Sequence, residues 1–242
     1  MAKKGKDTTM KRSAAPSIWR IPRKQFRFVT SISPGPHTKK SSLPLTVLVR
    51  DVLKLTKTSK EVRAAINSGR ILIDGICRHR GNFPIGLMDV VDIPSTGIVY
   101  RLVPNRGELT TIEISDSEKN QKICRIEGKT TIKNGDLQYG LHDGRSIILD
   151  KDSKFNVGDS LLLNTPSQKI LDSYKLAKDS LAMVMKGERS GTLGTINDIK
   201  PGSFSRKSMA KISINGVETE LPLSLLLAVG KDKPPIKIME SA

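Results

Sequence analysis

Hydrophobic spacing along the chain is most regular over 43–70. Leu45, Leu48, Val49, Val52 and Leu53 recur at i, i+3, i+4, i+7 and i+8, the pattern of one helix face. Pro44 suits the first turn, where a backbone N–H has no partner to lose. Arg50, Lys54 and Lys57 fall together on roughly the opposite side of such a helix. A second helix is predicted to begin at Thr58, whose hydroxyl and the Glu61 carboxylate can form a capping box. Its apolar face is Val62, Ala65 and Ile66, its outer face presents Lys60 and Arg63, and Gly69 ends it. Alternation then replaces the helical period. Apolar runs on either side of Asp74-Gly75 predict a hairpin, and Val90–Ile93 completes a small sheet.

From about residue 107 the pattern is of short strands and tight turns. Strands are expected at 111–115, 122–127, 130–133, 146–149 and 160–163, with turns at Gly128, Asn134-Gly135, Asp143-Gly144 and Gly158-Asp159. Five short strands of this kind suggest a small closed barrel. A second all-β unit follows, with strands at 181–185, 194–199, 211–214, 217–221 and 225–229 and a hairpin turn at Asn215-Gly216. The predicted fold class is therefore α+β, mostly β, in four parts: a basic extension over 1–42, a helix-pair module over 43–106, a central unit over 107–175 and a last one over 176–242.

Charge points to a partner. The formal net charge is +17, from 41 Lys and Arg against 24 Asp and Glu, which suits a polyanion such as nucleic acid. The excess is uneven: +10 over 1–42, +5 over 43–106, −1 over 107–175 and +3 over 176–242. The N-terminal half is thus expected to face the anion. Residues 1–42 show no sustained periodicity and are broken by Pro16, Pro22, Pro34 and Pro36. They still hold Ile18, Trp19, Ile21, Phe26 and Phe28, an expensive set to leave in water. The expectation is an extended arm that becomes ordered on RNA, its aromatics packing or stacking there.

Catalytic and metal sites find little support. His37, His79 and His142 have no Cys or His at ligand spacing, so contact with RNA or solvent is the better reading. Cys77 and Cys124 sit in apolar runs and read as buried reduced thiols. Gly191-x-x-Gly194 lacks the Lys-Ser/Thr of a phosphate loop and opens a strand, so its glycines read as turn residues. Asp150 and Asp152 read as solvated loop charges. No nucleophile is paired with a base, and no cofactor, membrane or small-molecule substrate is expected. No N-terminal segment resembles a signal peptide, and 223–229 is too short an apolar stretch to span a bilayer. The reading is a soluble intracellular protein.

Several motifs in order resemble the archaeal and eukaryotic-type small-subunit ribosomal protein four family, over nearly the whole chain. They are Met10-Lys11-Arg12-Ser13-Ala14-Ala15-Pro16-Ser17-Ile18-Trp19, Gly35-Pro36-His37, Leu43-Pro44-Leu45, Ile73-Asp74-Gly75 with Arg78, and Gly86-Leu87-Met88-Asp89-Val90. Further on stand Gly191-Thr192-Leu193-Gly194-Thr195-Ile196, Pro201-Gly202-Ser203-Phe204, and Gly230-Lys231 with Lys233-Pro234. Thr192 and Thr195 depart from the Arg or Val usual around those glycines. The resemblance implies an alpha-L-type RNA-binding module over 43–106, a central small barrel and a C-terminal KOW-type barrel. It also implies a non-catalytic structural constituent of the small ribosomal subunit in the cytoplasm, with small-subunit ribosomal RNA and neighbouring ribosomal proteins as partners. The chain stops where the second barrel should end, without the basic tail of eukaryotic members, which favours an archaeal one. The RNA-contacting set is expected to be Lys3, Lys4, Lys11, Arg12, Trp19, Arg20, Arg23, Lys24, His37, Lys39 and Lys40 on the extension. On the module it is Arg50, Lys54, Lys57, Lys60, Arg63, Arg70, Arg78 and Arg80. An RNA-modifying enzyme could carry the same module but would need a large catalytic domain. An RNA-binding factor acting off the ribosome, such as a KOW-type transcription or assembly factor, would not need arm and module together.

Overall fold

Trp19, Leu43, Leu48, Ile66, Ile73 and Leu102 meet in one buried cluster that organises the first of two units. A computed structural model describes residues 9–22, 24–151, 153–204, 206–231 and 233–239. The first unit takes the chain to Val103 and then 108–119; the second takes 104–107 and the chain from Asn120 onward. The fold is mostly β, with two short α-helices among the described residues and several sheets.

The helix pair forms, with a difference. Leu45–Val47 is α-helical, and Leu48–Val52 continues it as a wider turn in which the Leu53 N–H reaches back to Leu48 O at 2.9 Å. Leu45, Leu48 and Val49 are buried, as the periodicity predicts. The helix is shorter than expected, because Lys54 adopts φ +53°, a left-handed conformation that no helix continues. Lys54 and Lys57 thus sit in the connection, not on a helical stripe with Arg50. The second helix, Ser59–Asn67, has the predicted capping box: the Glu61 N–H donates to Thr58 Oγ1, and the Glu61 carboxylate accepts from the Thr58 N–H. The Lys57 N–H, which donates to the same carboxylate at 3.0 Å, and the Thr58 groups bonded to it hold the Glu61 carboxyl below its ordinary pKa. Val62 and Ile66 face the core.

Asp74 and Gly75 turn the hairpin Leu72–Ile73 to Ile76–Cys77 with φ +49° and +76°, the paired left-handed conformations of a two-residue turn. The sheet runs Ile76–Cys77, Leu72–Ile73, Val90–Ile93, Ile98–Asn105, Glu108–Ile114. Its last strand takes in 111–114 of the segment expected at 111–115, which joins this sheet and not the central one. The tight Arg106-Gly107 turn, again with φ +45° and +83°, returns the chain beside the strand it has just left. Arg101, opposite Val90, is fully buried, and its guanidinium meets the Glu118 carboxylate at 2.9 Å. Burial lowers its pKa against the opposing pull of Glu118.

The arm is folded onto this unit. Thr9–Lys11 pairs antiparallel with Phe28–Thr30, Met10 opposite Val29. Trp19 is 2% exposed, and its indole N–H donates to Ser42 O at 2.7 Å. The Arg12 guanidinium donates to the carbonyls of Ile21 and Pro22, closing the loop between the strands. An arm ordered only by RNA is therefore the wrong description of 9–30. Its apolar residues find their partners in the core of the same chain, and local periodicity is silent because they do so through loops.

In the second unit, one sheet runs Ser146–Leu149, Leu137–Leu141, Gln121–Thr131, Ser160–Asn164, Lys169–Tyr174. The strands expected at 122–127 and 130–133 prove to be one. Gly128 sits beside a register shift in a continuous strand and makes no turn, and Leu137–Leu141 and Lys169–Tyr174 were not anticipated. The other sheet runs Val217–Pro222, Met209–Ile214, Leu193–Lys200, Leu181–Val184, Leu226–Gly230, matching the expected strands within a residue or two. Cys124 is buried as expected, whereas Cys77 is only partly so.

Candidate nucleic-acid interface

Two of the family-like motifs, one of them carrying His37, read above as an RNA contact, are locked together inside the first unit. His37 Nε2 lies 3.1 and 2.9 Å from the two carboxylate oxygens of Asp89, and both side chains are only 3% exposed. Asp89 also accepts the Gly86 N–H at 2.8 Å. The His37 ring lies so close to Gly86 that a Cβ there would meet it at 2.5 Å. His37, predicted to touch RNA, instead ties the arm to the sheet, and Trp19 is withdrawn into the core by the burial described above. Gly86→Ala is expected to push the ring off Asp89 and cost about 1–3 kcal/mol, as overpacking does. Thermal unfolding measures it; a wild-type midpoint would show that the ring moves aside freely.

The basic residues separate into those left in water and those occupied by the fold. Lys11, Arg20, Lys24, Lys39, Lys40, Lys54, Lys57, Lys60, Arg63, Arg70 and Arg80 are all exposed. Lys3, Lys4 and Arg23 lie outside the described residues. Arg20 stands 3.8 Å from Glu108 with 70% of its side chain in water, a loose pair that leaves the cation available. Arg12 is spent on backbone carbonyls. Arg78 lies over the Phe83 ring at 4.6 Å, with its Nε buried.

Arg50 is fixed. Its Nε and Nη2 each donate to the Asp51 carboxylate at 2.8 Å, and its Nη1 donates to the Ser59 hydroxyl at 2.7 Å. The bidentate bond to Asp51 raises its pKa further. Its guanidinium also lies 5.3 Å from the centre of the Phe26 ring. The helix pair and the arm together present this set: Val62 and Ile66 bury the inner side of the second helix while Lys60 and Arg63 project outward. Phe26, Arg27 and Phe28, all exposed, were absent from the predicted contact set. For Phe28 the signal was the interior position Val29, whose strand neighbours turn outward; Phe26 and Arg27 precede the strand and had no such signal.

The arrangement offers exposed cations, which suits contact with phosphates. By count, the first unit carries 21 basic and 10 acidic residues and the second 20 and 14. The first therefore has the larger excess of positive charge.

Comparison with known proteins gives a consistent result. Residues 96–170 match Ribosomal family S4e, and residues 4–40 match the RS4NT (NUC023) domain. The chain is 41% identical over 231 residues to the small ribosomal subunit protein eS4 of Methanothermobacter thermautotrophicus, covering 95% of each. It is 39% identical over 251 residues to the eS4 protein of Desulfurococcus amylolyticus, covering 100% of each. Among solved structures, that of the 30S ribosomal protein S4e from Thermoplasma acidophilum superposes with a TM-score of 0.69 at 27% identity, covering 79% of this chain and 96% of that one.

Proposed function

This chain belongs to ribosomal family S4e, and from that premise we propose that it is a structural constituent of the small ribosomal subunit, acting in translation by gripping folded ribosomal RNA. The observation that carries the reading is the exposed basic set of the first unit, above all Lys54, Lys57, Lys60 and Arg63 beside a helix whose other side is core. Phosphate contacts of this kind position a protein on RNA and leave choice of partner to RNA shape. In this reading 43–106 acts as an alpha-L-type module, and 1–42 extends the grip through Lys11, Arg20, Lys24, Lys39 and Lys40. The part from Asn120 to about 175, without the 108–119 segment that joins the first unit, and the part at 176–242 serve as a central small barrel and a KOW-type barrel that pack against RNA and neighbouring ribosomal proteins. The protein works without catalysis, in the cytoplasmic ribosome.

A salt titration tests the grip. In the variant Lys54→Asn/Lys57→Gln/Lys60→Gln/Arg63→Gln, asparagine is chosen at 54 because it tolerates the left-handed backbone there. Each lost phosphate contact should flatten the plot of log affinity against log salt by about 0.9, so four would remove roughly 3–4 from the slope. Binding to deproteinised small-subunit ribosomal RNA is the readout, with circular dichroism as the folding control. An unchanged slope in a folded variant would show these four to be ordinary solvated surface.

A further inference from the structure

Phe26 and Phe28 are 49% and 53% exposed, on an arm that otherwise buries its large apolar groups. Strand register accounts for Phe28, since its neighbour Val29 takes the inward position at 5% exposure. Each ring is accompanied by a guanidinium: Arg50 stands 5.3 Å from the Phe26 centroid and Arg27 5.4 Å from that of Phe28. Arg50 cannot swing away, being held by Asp51 and Ser59, so it braces the Phe26 ring. A single exposed apolar side chain means little. Two aromatic rings within three residues, each beside an arginine and flanked by Lys24, form a more specific surface. Phosphate contact needs only the cations and gives no reason to hold phenyl rings in water. Duplex RNA, for its part, hides its base faces in the stack and offers them only at bulges, loops and ends.

We infer that Phe26 and Phe28 are a stacking platform for unpaired RNA bases, with Arg27 and Arg50 holding the rings and the exposed Arg27 neutralising an adjoining phosphate. This rests on the reading that the chain binds RNA, and it names the class of RNA feature: unpaired nucleotides at the edge of a helical junction. The probes are a synthetic RNA duplex carrying a short adenosine bulge and the same duplex fully paired, each titrated with the full chain by fluorescence anisotropy. Wild type should prefer the bulged RNA by about tenfold for each stacked base. The double variant Phe26→Leu/Phe28→Leu keeps apolar bulk but has no aromatic face. It should lose that preference while its affinity for the paired duplex and its salt slope stay at wild-type values. Both side chains are half in water, so circular dichroism should report an unchanged fold. A preference that survives in the double variant, or a wild type that binds both RNAs equally, would overturn the platform and hand the two rings to a protein neighbour. A wild type that binds neither RNA would instead overturn the RNA-binding reading itself, and the platform with it.

Discussion

Replacing Trp19 by alanine is expected to destabilise the first unit by about 3–5 kcal/mol, the range for removing a large aromatic from a packed core. Two losses add at this position. The indole is 2% exposed among Leu43, Leu45 and their neighbours, so truncation leaves a cavity. Its N–H is also the donor to Ser42 O, a carbonyl on a fully buried residue. The arm should therefore loosen, because Trp19 is the one buried side chain among the described residues of the loop between Thr9–Lys11 and Phe28–Thr30. Trp19→Phe should cost less, keeping most of the packing but orphaning the carbonyl for about 1–3 kcal/mol. Because the chain has two units, residue-resolved amide exchange is the suitable measure; a single global transition would average them. Protection of 9–30 in the free wild-type chain should be strong and should collapse in Trp19→Ala. Weak protection in the wild type would restore an arm that orders only on RNA.

The second large effect lies in the second unit, at a buried ion pair. Lys122 Nζ is 3.0 Å from Asp143 Oδ2, and both side chains are 1% exposed. Arg145 Nε approaches the same oxygen at 3.3 Å. Burial alone pushes the Asp143 carboxyl up, but Lys122, His142 and Arg145 together outweigh it and bring it down from 3.8 to about 2. Asp143→Asn keeps the shape and removes the negative charge that faces the buried Lys122 ammonium at 3.0 Å. A loss of about 3–5 kcal/mol is expected, since breaking one partner of a buried pair costs far more than the pair contributes net. The pH dependence follows from the direction of the shift. A carboxyl whose folded pKa lies below its unfolded one stabilises above the ordinary 3.8, and that contribution is lost as pH falls from there through about 2. Amide exchange across Gln121–Thr131 and Leu137–Leu141 should weaken in that window for the wild type, while Asp143→Asn should be weak throughout and lack this slope. A variant as stable as wild type would mean that water reaches Lys122 readily.

The helix pair, the Asp74-Gly75 hairpin and the Asn215-Gly216 hairpin were all legible in the residues, because each depends on neighbours within a few positions. The Thr58 cap is closed by Glu61, three residues on, and the hairpin turns are closed by their own glycines. Errors fell where the deciding contact was distant, as for His37, or where the local backbone left the expected helix, as at Lys54. His37 reads as a loop histidine until Asp89, fifty-two positions away, is folded against it. Lys54 follows the helical spacing of Arg50, yet its backbone turns left-handed as the helix ends in a widened turn. Gly128 looks like a turn, but its strand pairs with Leu137–Leu141 straight through it, after pairing with Ser160–Asn164 upstream.

The candidate interface divides in the same manner. Charge by itself directed attention to the N-terminal half, since an excess of cations survives any folding. It could not separate exposed from occupied ones: Arg12, Arg50 and Arg101 each have acceptors within the protein, while Lys57, Lys60 and Arg63 remain in water. Nor could it separate Trp19, which the core takes, from Phe26 and Phe28, which it does not. Local periodicity and net charge are properties of the chain before it folds, so the sequence by itself determined them. Which aromatic is buried and which arginine is already satisfied depend on contacts between residues far apart in the chain, and only the tertiary structure decided those.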